Sequence, residues 1–155
     1  MLATPHAYQQ PGNPGNARLE ACLRYLSLKF HGQVVMEQWS EEKGPSFAEE
    51  LTPKLGLEFA NVGTPDEGMF RTCWPQISHP DHDGTLPYDP DAPPMLHEYG
   101  PLDAQAAREE QMVRNIRKKM EDYGDGIFIV GIAHTHSLHS KLVEMGFDVT
   151  SYIVA

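Results

Sequence analysis

Residues Gly126–Val154 read GIFIVGIAHTHSLHSKLVEMGFDVTSYIV. The run Ile127–Ile132 is continuously apolar and is preceded by Gly124 and Gly126. It is far shorter than the roughly 20 residues that cross a bilayer, so it predicts a buried strand. The run gives way to a histidine cluster, His134, His136 and His139. Leu138, Leu142 and Met145 follow at helical spacing and predict a helix from about Ser137 to Met145. Gly146 stops that helix, and Phe147–Val154 predicts a last strand. The carboxyl end of such a strand faces the crevice in which open α/β sheets bind ligands. A reactive centre is therefore expected at His134.

The same grammar recurs upstream. Met1–Thr4 is short and apolar and ends before Pro5 and His6; Gln9–Asn16 is turn chemistry. Asn16 suits an N-cap for a helix Ala17–Phe30, whose stripe is Leu19, Leu23, Leu26 and Phe30, and Gly32 suits the left-handed cap at its end. Gln33–Met36 predicts a strand that delivers Glu37. Ser46 with Glu49 forms a capping-box pattern, so a helix starts near Phe47, to be ended or distorted by Pro53. Leu57–Val62 predicts a third strand with Asn61 near its end. Asp103 caps a helix Ala104–Tyr123 with the stripe Met112, Val113, Ile116 and Met120 and a favourable Glu110–Arg114 pair. Strands alternating with helices predict a single α/β domain over residues 1–155, with a short, mainly parallel sheet and helices on both faces.

Gly63–Pro101 breaks the pattern. It holds eight of the 13 prolines and seven acidic residues against one basic residue, Arg71. Its aromatics argue against plain disorder, so a loop or lid lying over the sheet is expected, or a surface for a partner. His79, Asp81, His82 and Asp83 are potential metal ligands within it.

The net charge of −10 argues against nonspecific binding to nucleic acid or anionic membrane, which requires clustered Lys and Arg. With two cysteines, Cys22 and Cys73, no disulfide framework or CxxC metal motif exists; Cys22 reads as a buried free thiol. No charged-then-apolar leader follows Met1, which makes a cytoplasmic protein the expectation. Neither GxGxxG nor GxxxxGK[ST] occurs, nor HExxH or GxSxG.

In a parallel sheet all carboxyl ends share one edge, which here gathers His6, Glu37, Asn61 and His134. A carboxylate and two imidazoles can hold a divalent metal or act as an acid/base pair. His136 is a further candidate ligand and Arg71 a candidate anion holder. Solvent-facing roles compete for each: His136 and His139 fit the first turn of a helix, and Glu41 and Glu42 fit a solvated loop.

The chain resembles the TraB/Tiki, erythromycin esterase and ChaN-like superfamily. Ala3-Thr4-Pro5-His6 looks like its GTxH-like motif without the glycine, and Val34-Val35-Met36-Glu37 like its glutamate strand. Gly131-Ile132-Ala133-His134, followed by Leu138, Leu142, Gly146 and Val149, looks like its closing GxxH motif. The likeness covers the two ends of the chain and omits Gly63–Pro101. Members include proposed metal-dependent peptidases, esterases that open macrolide lactones, and haem-binding proteins. The resemblance implies a hydrolase acting on a small molecule or peptide, with Glu37 and His134 at the centre, His6 assisting and Arg71 orienting an anionic group. Two forms of the site are open: a divalent metal (Zn, Mn or Fe) on His134, Glu37, His6 and His136, or no metal and His134 as the general base. Two other readings stand beside it: a non-enzymatic metal- or haem-binding module or acidic surface for a basic protein, and a degenerate fold kept as an interaction domain. Oligomeric state is not legible.

Overall fold

The buried strand expected at the end of the apolar run is Gly126–Gly131 (β4). In the computed structural model, which describes residues 1–39, 43–63 and 102–154, the side chains of 102–105 excepted, it lies at the centre of a five-stranded sheet. The other strands are Leu2–Thr4 (β1), Val34–Glu37 (β2), Glu58–Asn61 (β3) and Tyr152–Ile153 (β5). Their order is β3-β2-β4-β1-β5 and every pairing is parallel. The α/β architecture read from the sequence is therefore the architecture of the chain. The residues from 64 to 101, and with them Arg71, the His79–Asp83 ligands and the expected lid, lie outside the described residues, as do Glu41 and Glu42.

Helices cover both faces. Asn16–Phe30 (α1) and Phe47–Leu51 (α2) pack Leu19, Leu23, Leu26, Ala48 and Leu51 onto Leu2, Val35, Ile127 and Ile129. Leu102–Met120 (α3) and Thr135–Glu144 (α4) pack Met112, Val113, Ile116, Leu138 and Leu142 onto Ala3, Val34, Met36, Phe128 and Val130. Alternate residues of each strand thus feed opposite layers, as the two-residue period of a strand requires. The inner strands β1, β2 and β4 are apolar on both faces because both are covered, whereas the edge strand β3 carries the exposed Glu58. No helix among the described residues is long and apolar enough to cross a membrane.

Several boundaries differ from the expectation for identifiable reasons. Asn16 is the first residue of α1, not its N-cap; Gly15 holds that position. The Asn16 amide instead donates to Tyr8 O (2.7 Å) and Gln10 O (3.0 Å), which pins the 3₁₀ turn His6–Gln9 against the helix. A Cβ on Gly15 would collide with the Tyr8 ring. The left-handed C-cap of α1 is His31 (φ 51°, ψ 27°), not Gly32. At Pro53 the outcome is the expected one: α2 ends at Leu51 and the chain tightens into a 3₁₀ turn, Thr52–Leu55, closed by Gly56 at φ 70°. The last strand is two residues long, not eight, because its one sheet neighbour is the three-residue β1 (Leu2↔Tyr152, Ala3↔Ile153). Cys22 is a free, half-buried thiol at the fringe of the α1 layer.

His31 is exposed and carries a Cβ where the backbone favours none. His31→Gly should stabilise the fold by about 1 kcal/mol. That gain corresponds to a rise in Tm of about 2–4 °C in calorimetry. An unchanged or lower Tm would show that the side chain compensates its own strain.

Candidate active site at the carboxyl edge

The carboxyl edge of the sheet is built from strand ends. Thr4 lies opposite Gly131 in the β1–β4 register, and Glu37 lies opposite Ile129 in the β2–β4 register. Two residues before Thr4, Glu37 and Gly131 are Leu2, Val35 and Ile129, all in the α1/α2 layer of the core. By alternation, Thr4, Glu37 and Gly131 face that layer too. His6 begins the 3₁₀ turn after β1, and its ring lies over Gly131, where an added Cβ would run into Nε2. The glycine is thus the seat of an imidazole.

The His6 ring is oriented from behind. Its Nδ1 lies 2.7 Å from Gln9 Oε1. An amide oxygen only accepts, so Nδ1 carries the proton and Nε2, beside Gly131, is left as the acceptor. Burial pushes the His6 pKa down; the Gln9 bond opposes this, while the charges of His134, Lys43 and Arg108 reinforce it. His6 is therefore a neutral imidazole at pH 7.

Glu37 is fully buried at 0 % exposure, below Gln9 and beside α2. Its Oε2 pairs with Ser46 Oγ, which also caps α2 by accepting from Glu49 N–H (3.0 Å). Burial raises the Glu37 pKa to about 8 against the opposing bonds of Ser46 and Gln9, with Glu49 adding a like charge. At neutral pH Glu37 is a carboxylic acid, not a carboxylate.

On the other face, His134 ends the 3₁₀ turn Ile132–His134 and is the N-cap residue of α4, in a turn conformation (φ −94°, ψ −3°). It is 5 % exposed. Its Nδ1 lies 3.0 Å from Oε1 of Glu109, which reaches across from α3 and is 3 % exposed. Ser137 Oγ donates to the same oxygen (2.7 Å), and Lys141 Nζ donates to Oε2 (2.9 Å). Burial alone would raise the Glu109 pKa, but the bonds from Lys141, His134 and Ser137 outweigh it and hold it at about 2. An ionised carboxylate accepts and cannot donate, so His134 Nδ1 carries a proton toward it.

His6 and His134 both stand at this edge, one in the turn after β1 and the other at the entry to α4, and the charge of His134 is among the causes that lower the His6 pKa. Glu37 joins through Gln9, on the His6 side of the sheet. The remaining expected residues do not join them. His136 is exposed on α4, and His139 Nδ1 is held by Ser151 Oγ at 2.8 Å. Asn61 is spent on the backbone: its Oδ1 accepts from Gly63 N (2.9 Å) and Trp39 N (3.3 Å), and its Nδ2 donates to Trp39 O (3.0 Å). Among the described residues no three of His, Cys, Asp and Glu are gathered to hold a metal ion, so His134, Glu37, His6 and His136 do not form one ligand set.

Glu109 and Gln9 are the functional residues that sequence reasoning missed. Glu109 had a signal: it sits three and four residues before Met112 and Val113, on the apolar stripe of α3. A carboxylate on a core stripe demands a buried partner. Gln9 sits in a turn-rich stretch where nothing distinguishes it.

A cavity of about 420 Å³ opens at the opposite, amino edge, lined by Met1, Phe30, Met36, Met120, Phe128 and Tyr152 among others. It does not adjoin the imidazoles. Comparisons of the chain with family models, with curated proteins and with solved structures return no match. The superfamily likeness rests on the quoted motifs alone.

The buried acid and the seated imidazole can each be probed by titration. Because the folded pKa of Glu37 lies above its ordinary 4.5, its contribution to stability is full below pH 4.5 and is lost as pH rises through about 8. Glu37→Gln, neutral at every pH, should flatten that slope, so that urea unfolding finds the variant more stable than wild type at pH 9 but not at pH 5. Parallel pH profiles for the two proteins would mean that Glu37 is already solvated. Gly131→Ala should push the His6 ring off its seat. NMR titration should then find the His6 pKa moved up toward 6.5, and a persistently low value would show the ring to be held elsewhere.

Proposed function

We propose that the chain is a hydrolase of ester or amide bonds in small molecules or peptides, with His6 and His134 as its acid/base centre. The observation that carries this reading is the contact of His134 Nδ1 with Glu109 Oε1 at 3.0 Å, inside the protein. A buried carboxylate behind an imidazole fixes the tautomer and stabilises the imidazolium that forms when Nε2 takes a proton.

In this reading a water donates one hydrogen to the Nε2 of each ring and turns a lone pair toward a carbonyl carbon. The two rings are not equivalent as bases. The surroundings of His6 resist a positive charge; those of His134 hold a compensating carboxylate. The proton of the attacking water therefore goes to His134, which returns it to the leaving alkoxide or amine, while His6 orients the water. The same two Nε2 atoms are those that a divalent ion would take, but with no third ligand residue gathered at them among the described residues, the reading rests on the imidazoles alone.

A panel of p-nitrophenyl esters and chromogenic peptide amides tests it. Wild type should turn over at least one class, and His134→Gln should lower kcat by about a hundredfold or more, the usual worth of a general base. Glu109→Gln should lower kcat by less and should redistribute the His134 ring proton between its nitrogens in ¹⁵N NMR. Undiminished turnover in His134→Gln, or no turnover of any ester or amide by wild type, ends this reading.

A further inference from the structure

The cavity at the amino edge of the sheet has no part in the imidazole chemistry. Its floor is core: Leu26 and Ile127 belong to the α1/α2 layer, and Met36, Ile116, Phe128 and Leu142 to the α3/α4 layer. It therefore opens inward at the start of β4, where the two layers meet. Protein interiors leave few voids larger than a water molecule. A space of about 420 Å³ over buried apolar side chains is of the size and character that small molecules occupy.

Two features of the lining point to the guest. The first is adaptability. Met36 and Met120 close in over Gly126: a Cβ there would meet Met36 Cε at 2.9 Å and Met120 Sδ at 3.0 Å. Thioether side chains reshape around a guest at low cost. The second is charge. Among the described residues that line the cavity, the charged side chains are Asp125 and Asp148, and none is basic. Both aspartates are exposed, so their carboxylates stand at the mouth. The Met1 amino group donates to Thr150 O (2.6 Å), and burial lowers its pKa to about 6, so it is mostly uncharged at pH 7. The rings of one wall already attract an ammonium. Lys29, which is outside the lining, places its Nζ 5.1 Å from the Phe30 centroid and 5.4 Å from the Tyr152 centroid, and donates to Tyr152 Oη (2.9 Å). The negative faces of aromatic rings favour cations in this way.

We propose that the amino-edge cavity binds a small amine or ammonium compound, with its apolar body on Met36, Met120 and Phe128 and its cationic end at Asp125 and Asp148. The apolar body supplies most of the affinity. Exposed carboxylates add little strength each, because water screens them, and they select a cation over an equally apolar neutral or anionic molecule. The site lies at the opposite edge from the imidazoles and stands whether or not the chain is a hydrolase.

Octylamine, octanol and octanoate share one chain length and differ in charge. Titrating the full chain with each, at pH 7 and constant ionic strength, tests the site. We expect saturable NMR shifts of the Met36 and Met120 methyl signals. Octylamine should bind about fivefold tighter than octanol, the effect of two exposed ion pairs, and octanoate more weakly than octanol. Replacing both aspartates, Asp125→Asn with Asp148→Asn, should bring octylamine to the octanol value and leave octanol unchanged. That variant separates the site from the pull that a net charge of −10 exerts on any cation. Met120→Trp, at a half-buried position, should fill the cavity and weaken octylamine and octanol alike by about tenfold, read at the Met36 methyl. Circular dichroism should confirm that each variant is folded. Shifts that fail to saturate with octylamine, an octanoate affinity equal to that of octylamine, or an amine preference that survives loss of both aspartates overturns the proposal.

Discussion

Parallel strands cannot be joined by hairpins; each must be carried back across the sheet by a crossover before the next begins. That constraint governs this chain. All five strands run the same way, so all their carboxyl ends arrive at one edge, and both faces are covered by helices. Polar side chains have almost no place along such strands. β1 and β2 are apolar until their last residues, Thr4 and Glu37, and β4 is apolar until Gly131. The edge is where the fold tolerates chemistry, and the residues that carry it come from every layer: His6 and Gln9 from the turn after β1, Glu37 from β2, Glu109 from α3 and His134 from the entry to α4.

Two glutamates at that edge have opposite fates, for reasons that lie in their neighbours. Glu109 is surrounded by an ammonium, an imidazole N–H and a hydroxyl, which together more than offset its burial. Glu37 has only neutral partners, the Ser46 hydroxyl and the Gln9 amide, and a second carboxylate nearby, so burial wins and holds its pKa up. Environments that push like groups apart in pKa are how proteins assign acid and base roles at one pH. The imidazoles too differ in what stands behind them, a carboxylate behind His134 and a neutral amide behind His6.

Much of this architecture was legible in the sequence because it rests on local signals. The apolar run, the helical stripes and the Ser46 cap specify strands and helices without reference to distant residues, and strand ends are then set by topology. His6, Glu37 and His134 could be named on those grounds alone. What could not be read is which face each would take and what would stand behind it. The period of a strand fixes alternation but not which layer is which, so nothing separated Glu37 from His134 in advance. Gln9 acquires its role through Asn16, whose amide holds the turn in place from a helix seven residues on, and such long-distance clamps leave no periodic trace. His31 shows the same limit at smaller scale. Gly32 suited the left-handed cap by type, but the helix ended one residue earlier, and position prevailed over preference.

The His6 ring is moored through Gln9 and Asn16 to the α1 layer, and the His134 ring through Glu109 to the α3 layer. The gap between the rings is therefore a measure of the distance between two helical layers, with the sheet as the spacer. Changes of side-chain volume in either core bear on that spacing. Interiors packed to crystalline density pass such strain on instead of absorbing it. The protein is in effect a caliper whose jaws are its imidazoles, and the apolar residues that set its stability also set its aperture.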